Sequence, residues 1–357
     1  MVTLFVWCMA FLVAYFSIPV IRKVAFRFDV LDIPGGRKIH KQVTPLLGGI
    51  GVFLGLMAGI LIYAVIIKFL GGVTRAALSI DTIMPILVGG TLVLILGLIE
   101  DIWGVSAQAR FTCQMLVAFG MIASGVKIDF MPDTFLGNAI EILLTSIWIV
   151  GLTNAYNYLD GLDGLASGSA TVNLFFFAVI LYSMGQYALG LISVVLAASC
   201  LGFLPYNLHK TNKIFLGEAG STFLGFMLAC IAIQGSWAED SIVRLFVPIF
   251  ILGVPIFDMI FTTIMRVKEG KVKTIIEWLQ YGGKDHFHHY LVDVGLSPWG
   301  AVLFIYAITA SLGISAYMVS NDNVLEGLLA ISQSTIIFWV IAVLMVVGKR
   351  RRTGWQK

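Results

Sequence analysis

Apolar residues along the chain gather into eleven runs, near 2–21, 46–67, 83–99, 110–126, 139–156, 165–183, 187–205, 219–236, 243–265, 298–319 and 327–348. Runs of about 20 apolar residues are long enough for an α-helix to cross the hydrocarbon core of a bilayer. The pattern predicts an all-α polytopic membrane protein with about eleven transmembrane helices. Eleven crossings use roughly 220 residues and leave roughly 137 for loops and tails. A single integral membrane domain over 1–357 is therefore expected, with no room for a folded soluble domain. No basic residue precedes the first run, and Arg22 and Lys23 follow it directly with no small-residue cleavage site. It is expected to be a retained helix and not a signal peptide.

The polar residues then set the orientation. Nineteen of the 23 Lys and Arg residues fall in the segments 22–45, 100–110, 154–164, 206–218, 266–297 and the tail from 349, whereas Lys68, Arg75, Lys127 and Arg244 lie in the alternate set. Basic loops stay in the cytoplasm, so the N-terminus is expected outside and the C-terminus in the cytoplasm. The predicted location is the inner (plasma) membrane. All five His, and Asp32, Glu100, Asp101, Asp160, Asp163, Glu218 and Asp285, share the cytoplasmic side. The composition agrees: 59% of residues are apolar and 12% charged, and the mean hydropathy is +0.95. These values exclude a water-soluble enzyme and a disordered chain. The four Cys lie in apolar runs without Cys-x-x-Cys spacing, so no disulfide framework is implied. The net charge of +3 is accounted for by topology, and no nucleic-acid partner is expected.

Polar groups at membrane depth are expensive and tend to mark function. The densest stretch runs from Asn154 to Ala166. Steps of three put Asn154, Asn157 and Asp160 on one helical face, and Gly161 and Gly164 let the backbone turn and approach a ligand. Asp160 and Asp163 beside glycine suit metal or nucleotide chemistry; the structural alternative is hydrogen bonding of the Asn residues between helices. Adjacent Glu100 and Asp101 would repel unless a cation lies between them or one is protonated. Phe215 to Ser221 brings Glu218 to the start of a span, where helix N–H groups favour anions. Asp285, His286, His288 and His289 form a further cluster. Zinc ligation or contact with phosphate oxygens would both suit it, although no Cys lies on this side. Arg266 suits bidentate phosphate contact. The stretch 268–280 places Val272, Ile275, Ile276 and Leu279 among charges, which predicts a helix lying on the membrane surface, with a solvated linker as the alternative.

Taken in order, Arg37, Lys38 and His40 with Thr44-Pro45 and Gly48-Gly49, the Glu100-Asp101 pair, Asn154 to Ala166, Phe215 to Ser221, Arg266 and the His-Phe-His-His run of 286–289 resemble one group. That group is the polyprenyl-phosphate N-acetylhexosamine-1-phosphate transferases of glycosyltransferase family 4. The resemblance covers most of the chain. It implies transfer of a sugar 1-phosphate from a UDP-sugar to undecaprenyl phosphate, with release of UMP and initiation of lipid-linked cell-surface glycan synthesis. The cofactor it implies is Mg²⁺, with Mn²⁺ as a substitute. The partners are the UDP-sugar, undecaprenyl phosphate, membrane lipids and, as an open option, a second copy of the chain. The His-x-His-His form resembles the branch that uses N-acetylglucosamine. By the same resemblance, Glu218 would bind Mg²⁺ with Glu100 or Asp101, and Asp101 would orient the attacking lipid phosphate or take a residual proton from it. Phe215 would stack on uracil, and Asp160, Asp163, Asn154 and Asn157 would line the nucleotide and sugar pocket. Arg266, His286, His288 and His289 would contact the diphosphate. Lys38, His40 or Lys41 would contact the lipid phosphate.

The chain departs from the group in carrying Glu100 and Glu218 where Asp is usual, in lacking a Ser-Pro-Phe run between 266 and 285, and in Tyr290, where Arg is common. Two other classes compete. The CDP-alcohol phosphotransferases share Asp160, Asp163 and Gly164, but Ala166 is followed here by Ser167 and Gly168 and not by Arg. A secondary transporter would carry acids near the midplane and internal repeats, and neither pattern is seen.

Overall fold

The computed structural model describes residues 1–34, 42–69, 80–237, 241–283, 285–320 and 324–354. Among the described residues, fourteen helices and one minimal hairpin follow in the order α1 (Val2–Arg27), β1 (Leu31–Asp32), β2 (Thr44–Pro45), α2 (Gly48–Phe69), α3 (Ile80–Trp103), α4 (Ala107–Ala123), α5 (Phe135–Leu159), α6 (Leu165–Ser183), α7 (Tyr187–Asn207), α8 (Gly217–Gln234), α9 (Ser241–Ile251), α10 (Gly253–Lys268), α11 (Ile275–Gln280), α12 (Phe287–Val294), α13 (Pro298–Ser320) and α14 (Val324–Gly354). Among the described residues nine helices are long and apolar enough to cross a membrane: α1 to α3, α5 to α8, α13 and α14. The chain is a multi-pass membrane protein.

Two predicted spans are not among these nine. The run 110–126 becomes α4, which is 17 residues long. The run 243–265 divides at Leu252 into α9 and α10. Pro255 has no N–H to donate to Ile251, so the hydrogen-bond ladder cannot run through this point. The predicted surface helix over 268–280 shrinks to the six residues of α11, capped by Thr274, whose side chain accepts the Glu277 N–H. Val272, expected on its apolar face, lies outside it and is buried.

Helix α8 is the centre of the bundle, packed against α2, α3, α5 and α6 and buried along nearly its whole length. Small residues make this possible: a Cβ on Gly49 of α2 would collide with Gly220, and a Cβ on Gly97 of α3 would collide with Ala219. Backbones can approach this closely only where side chains are absent or minimal. The hairpin then ties the end of α1 to the start of α2, pairing Leu31 with Pro45 and Asp32 with Thr44. Its second strand and α2 also hold the segment before α8, because Phe215 N donates to Pro45 O at 2.9 Å, Gly48 N to Phe215 O at 2.9 Å and Gly49 N to Leu216 O at 2.8 Å. Phe215 and Glu218 are thereby placed by backbone contacts to residues about 170 positions earlier.

Candidate active site

A cavity of about 1010 Å³ opens among the ends of these helices, lined by Asp101, Asn157, Asp160, Asp163, Phe215, Glu218 and His289 among others. Seven residues expected to act together from scattered positions in the sequence thus face one space. Asp101 ends α3 and accepts the first N–H groups of α8, Glu218 N on Oδ1 at 2.9 Å and Ala219 N on Oδ2 at 3.1 Å. A carboxylate at a helix N-terminus satisfies orphan donors and the positive end of the dipole. Gly217, at φ +78°, makes the turn that allows this, and a Cβ there would sit 2.6 Å from Asp101 Oδ2.

Glu218 is held in turn by α5. Asn157 Nδ2 donates to Glu218 Oε2 and, at 3.1 Å, to Ser221 Oγ. Arg110 of α4 lies 3.6 Å from the same carboxylate and 2.6 Å from Glu100 Oε1. Glu100 is thus turned to Arg110 and does not line the cavity, which corrects its expected place beside a metal. Asn154 departs similarly: its Nδ2 donates to Gln114 Oε1 at 2.7 Å and to Val150 O at 2.8 Å, and the residue is buried. For Asn154 the interhelical reading is the one the structure bears out.

The turn after α5 carries Asp160 and Asp163. Asn207 accepts the Gly164 N–H at 2.6 Å and donates to Ile214 O at 3.0 Å, and the Tyr306 hydroxyl donates to Gly164 O. Asp163 pairs with Lys213, whose ammonium lies 5.2 Å from the centroid of the Phe215 ring. Among the described residues no hydrogen bond satisfies the Asp160 carboxylate. Burial, and then the carboxylates of Glu218, Asp163 and Asp101, push it up to about 8.

The His segment sits apart in part. His289 lines the cavity, and His288 is buried with its ring against Gly161, where a Cβ would collide with it. Arg266 and His286, expected on the diphosphate, are bound to protein groups and are not among the residues that line the cavity. Arg266 is buried and donates Nε to Asp285 Oδ2 at 2.8 Å and Nη2 to Asp285 Oδ1 at 2.6 Å. Burial opposes the charge on Asp285, but the Arg266 hydrogen bonds and charge outweigh it and hold that carboxyl below its ordinary range. Lys38, His40 and Lys41 lie outside the described residues.

For a metal, the donors that face the cavity are mostly carboxylate and amide oxygens, with the His289 ring beside them. Among the described residues no three His, Cys, Asp or Glu side chains form a ready-made metal cluster. Mg²⁺ prefers one or two carboxylates with waters and substrate phosphates over a closed protein cage. Asp101 and Glu218, joined through the α8 N-terminus, fit that requirement, and each Asp101 oxygen keeps acceptor capacity after its backbone bond.

The sequence profile of glycosyl transferase family 4 matches residues 83–236. A probable undecaprenyl-phosphate N-acetylglucosaminyl 1-phosphate transferase of Bacillus subtilis (strain 168) is 34% identical over 93% of this chain and 90% of its own length. The chain belongs to glycosyl transferase family 4. Two further relatives in the family are a decaprenyl-phosphate N-acetylglucosaminephosphotransferase of Mycobacterium tuberculosis (strain ATCC 25618 / H37Rv), 31% identical over 83% of this chain and 77% of the relative, and an undecaprenyl-phosphate alpha-N-acetylglucosaminyl 1-phosphate transferase of Escherichia coli (strain K12), 27% identical over 83% and 78%. The stretch matched by the family profile includes Asp101, Asn157, Asp160, Asp163, Phe215 and Glu218.

Sequence reasoning missed Arg110, Gln114, Lys213, Asn207 and Tyr306 as parts of this family member's site. Lys213, two residues before Phe215, carried a readable signal in its spacing. The others are single polar residues on otherwise ordinary helices, and only the packing of α4, α7 and α13 brings them to the site.

Proposed function

We propose that this family 4 transferase moves N-acetylglucosamine 1-phosphate from UDP-N-acetylglucosamine to undecaprenyl phosphate and releases UMP, at the cytoplasmic surface of the plasma (inner) membrane. The observation that carries the reading is the meeting of Asp101, Asp160, Asp163 and Glu218 with Phe215 and Lys213 around one cavity at the helix ends. Such a space suits a nucleotide sugar arriving from water and an acceptor whose tail stays in hydrocarbon. The names of the relatives in Bacillus subtilis and Escherichia coli support undecaprenyl phosphate as acceptor.

In this reading Phe215 stacks on uracil, with Lys213 fixing the ring through its charge and through Asp163. The acceptor is a phosphate monoester, with a second pKa near 6, so it needs little deprotonation. Its oxygen attacks the phosphorus attached to the sugar; a new P–O bond forms while the bond to the bridging oxygen breaks, and that oxygen leaves on UMP with the electron pair. Asp101 orients the acceptor or takes its residual proton. Asp160 and Asp163 line the nucleotide and sugar pocket in this reading. Asp101 and Glu218 would hold Mg²⁺, whose charge would offset the repulsion between the two anions.

Purified protein with undecaprenyl phosphate, Mg²⁺ and a panel of UDP-sugars tests the proposal. UMP release is expected fastest with UDP-N-acetylglucosamine, lost on chelation and restored by Mg²⁺ or Mn²⁺. Absence of UMP release with every sugar, or uptake of substrate into proteoliposomes in its place, would refute it.

A further inference from the structure

Asp258 of α10 is buried and bound to the segment that opens α12. Its Oδ1 accepts the Phe287 N–H at 2.7 Å, and its Oδ2 lies 2.9 Å from His286 Nδ1. The opposite ring nitrogen, His286 Nε2, lies 3.2 Å from Arg266 Nη2. A guanidinium only donates, so Nε2 is the acceptor and the ring proton sits on Nδ1, from which it is donated to Asp258. Both ring nitrogens are thereby committed. His286 provides no side-chain cap for α12, so the Asp258 carboxylate from the neighbouring helix takes that part. The ring face of His286 stacks on Tyr158 at 4.8 Å between centroids, in the last turn of α5 and two residues before Asp160.

We propose that Asp258 is a positioning residue of the transfer site, locking the His286 ring and the first turn of α12 so that His289 is presented to the cavity. This rests on the transferase reading for its kinetic half. Its structural half, a fixed Nδ1–H tautomer, stands independently of that reading. Asp258→Asn is nearly isosteric and discriminates the two halves. Its amide oxygen can still accept the Phe287 N–H, but its NH₂ then faces His286 Nδ1. The ring proton must move to Nε2, where it meets the Arg266 donors.

The test uses full-length protein in lipid nanodiscs with ¹⁵N-labelled histidine, and His286→Gln to identify the His286 resonances. Wild type is expected to show protonated Nδ1 and bare Nε2 at this residue. Asp258→Asn is expected to lose that tautomer and to lower kcat for UMP release between ~10- and ~100-fold, the scale of a small misplacement of a binding group. A bare Nδ1 in wild type, or undiminished kcat in the variant, would overturn the proposal. If the variant does not fold, the wild-type tautomer decides alone: protonated Nδ1 supports the lock and protonated Nε2 refutes it. Wild type that shows the expected tautomer but releases no UMP would instead sink the transferase reading.

Discussion

The two ends of α5 each carry acidic residues, and the chain treats them in opposite ways. Near its start, Glu141 is buried and fully partnered: Oε1 accepts the N–H groups of Phe130 and Met131 at 2.9 and 2.8 Å, and Oε2 accepts Lys127 Nζ at 3.0 Å. One turn on, Thr145 Oγ1 accepts the Ile128 N–H at 3.0 Å. This is a clasp, in which a buried charge is paired and its acceptors are filled. At the far end, Asp160 faces Asp101, Asp163 and Glu218 across a cavity and has no such partners among the described residues. Asp160 adds a further carboxyl to that group, and like charges brought together destabilise the protein unless a cation or a ligand offsets them. The contrast separates a carboxylate whose partners are all protein groups from one whose partners the proposed substrates and cation would supply.

The largest expected effect breaks the second region. Asp160→Asn lowers UMP release by about 100-fold or more, the scale of losing a group that acts in the transition state, while the substrate-free protein melts ~2 °C or more higher. A thermal-shift curve beside the activity assay checks both halves; a variant that loses stability along with turnover would erase the distinction.

Glu141→Gln sets the opposite expectation. It removes the ion pair with Lys127 and weakens two charge-assisted hydrogen bonds, costing about 2 kcal/mol of stability. Turnover per folded molecule stays at the wild-type level, as activity normalised to the folded fraction would show.

The pH dependence sharpens the same point. Because the folded-state value of Asp160 is raised to about 8, the folded state holds this proton more tightly than the unfolded chain does. The stability this contributes is complete below the ordinary carboxylate range and is lost as pH rises through about 8. The melting-temperature advantage of Asp160→Asn should therefore grow between pH 5 and about pH 9. An advantage that shrinks over this window would show that the raised value is wrong.

The smallest effect belongs to Lys213→Met. It removes the Asp163 pair and the cation over Phe215, interactions worth about 1 kcal/mol together. The KM for the UDP-sugar should rise by up to roughly fivefold with little change in kcat.

Much of this was legible beforehand because the bilayer constrains sequence so strongly. Among the described residues, nine of the apolar runs became helices long and apolar enough to cross a membrane, the form in which a backbone in hydrocarbon satisfies its own hydrogen bonds. The Asn154-to-Asp163 stretch stood out because polar groups at helical spacing are costly in an apolar span. The misplacements have a common physical cause. Glu100, Asn154, Arg266 and His286 are polar residues of the expected chemical type, but each found a partner on another segment of the chain: Arg110, Gln114, Asp285 and Asp258. A chemical type announces that a group needs partners, and does not say whether protein or substrate provides them.

By itself, the order of apolar and polar residues determined that this chain is a helical membrane protein, and placed its five histidines with Asp101, Asp160, Asp163 and Glu218 in one alternating set of inter-run segments. Hydropathy acts locally, residue by residue, and can be read that way. The tertiary structure alone decided that Asp101 caps α8, that Asp160 is left without a hydrogen-bond partner among the described residues while Glu141 is clasped, and that Asp258 grips His286. Those outcomes depend on which helix ends meet at hydrogen-bond distance, and that is set by close backbone crossings such as Gly49 on Gly220 and Gly97 on Ala219, between residues more than 100 positions apart.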